Sequence, residues 1–193
     1  MVDKVLDLVA KTDKQIAEAK QALADMNGEA VGFEYYDKQE ELEHLEGLRS
    51  DLLEQCRDLE PCDHVYIARF AERPHIKDFI DALFTDFFEQ RGDHLYDNDD
   101  AIYGGIALYH KIPVTVLGHR KGATLDENMK CNFGMPSPEG YRKAMRMFEQ
   151  AEKFNRPIIT FIDTPGAYPG MEAEAHGQGE AIAKSLAMMS HLK

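Results

Sequence analysis

Tryptophan is absent from this sequence, cysteine occurs only three times, and nowhere do 18 apolar residues run together. Without such a run there is no candidate for a membrane-spanning helix, and Met1 to Leu6 lack the basic stretch and apolar core of a secretory leader. Cys56, Cys62 and Cys131 are odd in number, widely spaced and free of any CxxC pair. That excludes a disulfide framework and a zinc site of ordinary ligand spacing, so a reducing cytoplasm is the expected compartment and no metal is expected in this chain. Positive charge is scarce as well: 22 Lys and Arg stand against 35 Asp and Glu, a formal charge of -13. Such a field repels polyanions, so nucleic acid is not an expected partner, and a phosphate-bearing ligand needs a local basic patch. The cluster Arg142, Lys143 and Arg146 is the candidate patch. Also missing are HExxH, GxSxG and Walker A spacings.

What is present is a globular composition, 44% hydrophobic and 30% charged over 193 residues. That length suits one main domain with an accessory element. From Val2 to Met26 the apolar residues keep a heptad, with Val2, Val9, Ile16 and Leu23 in one register. A glycine-containing break spans Asn27 to Gly32, and Leu42, Leu45, Leu52, Cys56 and Leu59 resume helical spacing as far as Pro61. Residues 1–60 are therefore expected to form a helical hairpin that carries no chemistry. Between Val65 and Gln90, Phe79, Ile80, Leu83, Phe84, Phe87 and Phe88 recur at helical spacing, and Arg91-Gly92-Asp93 ends the run. Ala101–Tyr109 and Ile112–Gly118 are β-rich and separated by two residues, which predicts a hairpin. Gly104 and Gly105 within it mark a bulge or a close backbone approach.

Ser137-Pro138-Glu139 carries the chemistry of a helix start, and that helix is expected to run to about Phe154. Ile158 to Ile162 follows as a strand buried on both faces. Asp163 to Gly170 is a proline- and glycine-rich loop, and a second helix carries Ala173, Ala181, Ile182, Leu186 and Met189. Helix, strand, loop and helix in that order read as α/β. A glycine loop after a buried strand gathers free backbone N–H groups, so Gly166 or Ala167 could hold a donor towards an oxyanion. An ordinary tight connection needs the same residues. His119, just after a strand, is either a base or a structural histidine, and Arg120 and Lys121 are either ligands of an anion or solvated charges.

Asn132-Phe133-Gly134-Met135, Pro138 to Ala144, Ile158 to Gly170 and Gly177 to Ala183 resemble the carboxyltransferase α subunits of bacterial acetyl-CoA carboxylase. Arg73-Pro74, Gly92-Asp93, Gly104-Gly105-Ile106 and Gly118-His119 extend the likeness over residues 61–193. The resemblance implies a crotonase-like fold (the ClpP/crotonase superfamily) of repeated β-β-α units, here preceded by the helical hairpin. It implies a transferase of fatty acid biosynthesis, in which carboxybiotin on a biotin carboxyl carrier protein gives its carboxylate to acetyl-CoA, forming malonyl-CoA. It also implies a β subunit that mainly holds coenzyme A, an α2β2 assembly, and no activity for this chain alone.

On this resemblance Gly166 and Ala167 become the candidate catalytic donors. Tyr168, Gly170, Gly104, Gly105, Asn132, Phe133 and Gly134 become candidate substrate-binding residues. Cys62 stands where the family usually has an aromatic residue. The family's next strand and second glycine-rich loop are expected beyond a residue like Lys193, so the 61–193 domain is expected to be incomplete at its C-terminus. Two other readings stay open: a crotonase-like enzyme acting on another acyl-CoA, and a non-catalytic pairing module.

Overall fold

A computed structural model describes residues 2–26, 33–70 and 73–193. The chain divides into two compact units, Met1–Ala71 and Glu72–Lys193. The first holds three helices: α1 (Val2–Asp25), α2 (Phe33–Glu54) and α3 (Pro61–Arg69). The heptad of α1 is realised, because Val2, Val9 and Ile16 are buried together with Thr12 and Ala19. On α2 the buried residue is Leu52, with Leu42 and Leu45 half-buried. Ion pairs from Arg49 to Asp13 and from Lys20 to Glu46 cross between the two helices and run antiparallel. The predicted break at Asn27 to Gly32 lies outside the described residues. Pro61 occupies the start of α3, where its missing N–H costs nothing. The buried Asp63 accepts the backbone N–H of Val2 at 3.3 Å, tying α3 to the start of α1.

The second unit begins with α4 (Ile76–Leu83) and a four-stranded sheet ordered β1 (Thr85–Glu89), β2 (Ile102–Tyr109), β3 (Ile112–His119) and β4 (Ile158–Phe161). Strands β1, β2 and β3 pair antiparallel, whereas β4 runs parallel to β3. Two neighbouring strands that run in the same direction require a crossover between them, and α6 (Pro138–Lys153) provides it. This β2-β3-α6 stretch is one β-β-α unit of the expected α/β fold. Side chains of β3 alternate between two cores. Val114 and Val116 meet Ile76, Ile80 and Phe84 of the α4 segment, while Leu117 meets Met147 and Phe148 of α6. Ile76 and Ile80 are almost fully buried, each contributing about 2 kcal/mol. Short α5 (Leu125–Lys130), a 3-10 turn at Asn132–Gly134, α7 (Met171–Ala175) and α8 (Gln178–Met189) complete the unit.

Two expectations need correction. The helical run expected between Val65 and Gln90 is three elements, α3, α4 and β1, so Phe87 and Phe88 lie on a strand. A register shift between Thr85 and Phe88 places extra residues on β1, and Asp86 there has φ +54°. The bulge breaks the two-residue alternation, so Phe84 and Phe87 reach the same core at a spacing of three that mimics a helix. Second, β4 is not buried on both faces. Among the described residues its one neighbour is β3, its side chains are half-buried or exposed, and Ile162 is exposed beyond the strand.

Close approach explains the paired glycines of β2. A Cβ on Gly104 would come within 2.6 Å of the Leu117 Cα, and one on Gly105 would strike the Phe88 backbone, with its carbonyl carbon 2.8 Å away. Backbone cannot yield as a flexible side-chain tip can. Gly105→Ala is therefore expected to destabilise the unit by about 2 kcal/mol. Gly179→Ala, at an open helical position with nothing within 4 Å, is expected to be neutral or stabilising by up to about 1 kcal/mol. Denaturant midpoints of the two variants, compared with the parent, check this contrast.

Candidate functional site

Because β3 and β4 are parallel, their C-terminal ends lie at the same edge of the sheet, where α/β proteins commonly bind ligands. His119 ends β3 and Asp163 follows β4. The backbone N–H of Asp163 donates to His119 Nδ1 at 3.4 Å. One Asp163 carboxylate oxygen, Oδ1, accepts from both Arg73 and Lys121, the latter at 2.7 Å. His75 Nδ1 lies 3.6 Å from the other oxygen, beyond hydrogen-bond reach. Burial raises the Asp163 pKa, but the hydrogen bonds and charges of Lys121 and Arg73 outweigh it and hold the carboxyl below its ordinary range. At His119 burial dominates and lowers the pKa, against the opposing pull of the Phe161 carbonyl and the Asp163 charge. His119 Nδ1 thus receives a backbone donor, which is the structural role. Lys121 is committed to Asp163.

The loop after Asp163 carries the candidate donors. Gly166 has φ +152°, and its N–H donates to the Thr164 hydroxyl at 3.1 Å while that hydroxyl donates to the Gly166 carbonyl at 2.9 Å. The half-buried Ala167 has no hydrogen-bond partner for its N–H among the described residues. Of the two expected donors, Ala167 is the one left available. Tyr168 N donates to the Pro136 carbonyl at 3.0 Å, which joins this loop to the turn containing Asn132, Phe133 and Gly134. All three turn residues have positive φ, at +46°, +54° and +78°. Such strain in two non-glycine residues persists only where the surroundings enforce it. A Cβ on Gly134 would sit 3.1 Å from both the Asp163 carbonyl and the Lys121 side chain, so the turn abuts the charged cluster. At Gly170 a Cβ would press into the Tyr168 ring.

Two cavities flank these loops. One of about 250 Å³ is polar and is lined by Asn132 and Tyr168 together with Asp97, Asp100, Glu139 and Glu172. The other, about 180 Å³ and almost wholly apolar, lies between the sheet and helices α6 and α8 and is lined by His119, Pro136, Tyr141, Phe161, Leu186 and Met189. Asn132, Phe133, Gly134, Tyr168 and the Gly166–Ala167 peptide are thus gathered around one edge. Gly104 and Gly105 line neither cavity, and the strand contacts described above account for them.

The expected basic patch is not a patch. Arg142 binds Asp93, Glu139 and the His176 carbonyl; Arg146 binds the carbonyls of Arg91 and Gly92. Lys143 is 1% exposed and donates to Asn98 and to the carbonyls of Asp99 and Ile102. Burial pushes its ammonium below the usual lysine range, opposed by Glu89, Asp99 and Asp100. The three cations fasten the 91–102 loop onto α6. The sequence leaves Lys121 open between an anion ligand and a solvated charge, and assigns no role to Arg73, Asp163 or Gln178. The matched segments Arg73-Pro74, Ile158 to Gly170 and Gly177 to Ala183 carried the available signal, but none revealed that they converge.

Asp163→Asn is expected to cost about 2 kcal/mol of stability at neutral pH, since two charge-assisted bonds lose their acceptor charge. Because the folded carboxyl titrates below its ordinary value, that cost is fully present above about pH 4 and disappears as the pH falls through the folded value. Denaturation of both proteins at pH 7 and at successively lower pH checks the expectation. A cost that does not change with pH would assign the effect to packing.

Residues 9–193 match the family of acetyl co-enzyme A carboxylase carboxyltransferase-like proteins. The chain is 50% identical over 186 residues to the acetyl-coenzyme A carboxylase carboxyl transferase subunit alpha of Bacillus subtilis (strain 168), covering 96% of this chain and 55% of that one. It is 58% identical over 150 residues to the subunit of the same name from Bacillus cereus (strain B4264), covering 78% and 45%. The chain therefore spans about half the length of the curated relatives it matches. Among solved structures it is similar to the β subunit of geranyl-CoA carboxylase from P. aeruginosa, with a TM-score of 0.42, 18% identity and coverage of 57% of this chain and 18% of that one. A single-chain, multi-domain long-chain acyl-CoA carboxylase matches with a TM-score of 0.41 and 19% identity, over 48% of this chain and 8% of that one. By the extent of the family match and the identity to these subunits, the chain belongs to the acetyl co-enzyme A carboxylase carboxyltransferase-like family.

Proposed function

We propose that this chain works as the α part of an acetyl-CoA carboxylase carboxyltransferase, transferring carboxylate from carboxybiotin to acetyl-CoA to give malonyl-CoA. The observation that carries the reading is the N–H of the half-buried Ala167, which has no partner among the described residues, between a Gly166 N–H and a Tyr168 N–H that are both bonded. Carboxybiotin, held on its carrier protein, supplies the carboxyl group and, once that has left, a ureido nitrogen able to take the methyl proton of acetyl-CoA. The chain's own contribution is electrostatic. The Ala167 N–H donates to the ureido or thioester oxygen on which charge develops, and a donor so placed contributes on the order of 3 kcal/mol.

No side-chain base is needed, in keeping with a His119 whose Nδ1 already accepts the Asp163 N–H. The Asp163 cluster anchors the first residue of the donor loop, and the strained 132–134 turn supports its far side through Pro136 and Tyr168. The partners in this reading are a β subunit that holds coenzyme A, the biotin carboxyl carrier protein and acetyl-CoA, in an α2β2 assembly. Carboxyl transfer is expected only when the β subunit is present.

Gly166→Val tests the loop. A Cβ at Gly166 meets nothing within 4 Å, so the substitution spares packing, but φ +152° is closed to valine and the peptide ahead of Ala167 must turn. In the assembled α–β complex the expected outcome is a loss of about 100-fold or more in kcat, with the complex and its thermal midpoint retained. Near-normal turnover per intact complex would remove Gly166 and Ala167 from the site. Carboxyl transfer from biotin to acetyl-CoA, measured for chain plus β subunit and for the chain alone, tests the function itself and separates it from a pairing module.

A further inference from the structure

Gln178 is 5% exposed and stands at the first turn of α8, behind the donor loop. Its amide nitrogen donates to the Pro136 carbonyl at 3.0 Å and to the Tyr168 carbonyl at 3.1 Å. Those carbonyls belong to the two segments that meet at the site: Pro136 follows the positive-φ turn, and Tyr168 follows Ala167. Tyr168 N already donates to Pro136 O, so one carbonyl receives both a backbone and a side-chain donor. The Gln178 carbonyl oxygen is buried and has no hydrogen-bond partner among the described residues. The amide end carries the selection: two donors on one nitrogen are what two converging carbonyls require, and neither Glu, Met nor Leu supplies them.

Resting on the carboxyltransferase reading, we propose that Gln178 is a positioning residue for the Ala167 N–H, clasping the Pro136 and Tyr168 carbonyls so that the strained turn and the donor loop hold one geometry. Gly177, at φ +81°, sets the backbone so that α8 begins with Gln178 directed at both carbonyls. The charged cluster fixes the start of the loop at Asp163, and the clasp fixes it again at Tyr168. Ala167 is held between two anchors of different chemistry.

The test uses Gln178→Met, which keeps length and volume and removes both donors, and Gln178→Glu, which keeps shape and turns an acceptor towards two carbonyls. Each is assembled with the β subunit and assayed with acetyl-CoA and a carboxybiotinylated carrier. The expected result is a fall in kcat of about 100-fold at a KM for acetyl-CoA within about twofold of the parent, because misplacement of the donor weakens the transition state and not substrate binding. Amide hydrogen exchange on the chain itself is expected to speed up at Tyr168, whose N–H is bonded to the Pro136 carbonyl, while β3 keeps its protection. Parent-like kcat in either folded variant overturns the proposal, as does a loss of rate that only tracks the fraction of assembled complex, or unchanged exchange at Tyr168. If the unsubstituted complex shows no carboxyl transfer, the functional reading and the positioning role fall together. Faster exchange at Tyr168 would then still establish the clasp as a structural contact.

Discussion

A half-buried carboxylate must be neutralised, and the arrangement at the end of the sheet follows from how Asp163 achieves this. Its partners come from three places: Arg73 ahead of α4, Lys121 past the end of β3, and the His119 ring that receives its own N–H. The contacts pin two segments, the one ahead of α4 and the end of β3, to the tip of β4. Charge-assisted hydrogen bonds are worth roughly twice neutral ones, and removing either cation leaves the carboxylate short of a partner in a partly desolvated place. The chain therefore leaves β4 in one direction, and the donor loop starts from a fixed point. The parallel β3–β4 pairing makes this economical, because it places His119 and Asp163 at the same edge.

Strain is the second ingredient. Asn132 and Phe133 hold left-handed torsions that cost about 1–3 kcal/mol each unless surroundings enforce them. Here the enforcement comes from contacts that also define the site: Gly134 lies against Asp163 and Lys121, and Pro136 takes donors from Tyr168 and Gln178. The cost of the turn and the order of the loop are thus coupled. Loosening either is felt at the other, and in the proposed function an N–H kept free for a substrate oxygen depends on such rigidity. A free loop would fold that N–H back onto a nearby carbonyl or hydroxyl, as the Gly166 N–H does with Thr164.

The sequence made plain what depends on local periodicity. The α1 heptad, the β2–β3 hairpin with its close-packed glycines and the proline-started α6 could all be read from spacing and turn chemistry. Phe87 and Phe88 could not, because a bulge in β1 replaces an interval of two by one of three and gives a strand the signature of a helix. The exposure of β4 was also hidden, since apolar content reports propensity and not how many neighbours a strand has. At the site, Gly166–Ala167 could be singled out as a loop, but which N–H is free depends on a threonine two residues earlier. The roles of Arg73, Lys121 and Gln178 are set by contacts 90, 42 and up to 42 residues away in sequence, which no local pattern encodes.

The fate of the basic side chains bears on how work is divided in the proposed enzyme. Arg142, Lys143 and Arg146 fasten the 91–102 loop, while Arg73 and Lys121 neutralise Asp163. For coenzyme A phosphates to be bound by these groups, buried or half-buried acceptors would have to be stripped of their donors, and each stripped acceptor carries a penalty of about 1–3 kcal/mol. The chain's net charge of -13 opposes such binding further. What this unit offers instead is a backbone donor uncommitted among the described residues, and an almost wholly apolar cavity between the sheet and helices α6 and α8. That combination suits the oxygen of a neutral ureido ring or thioester, whose charge appears only as the reaction proceeds. In the proposed function, the phosphates are therefore left to groups other than these five side chains.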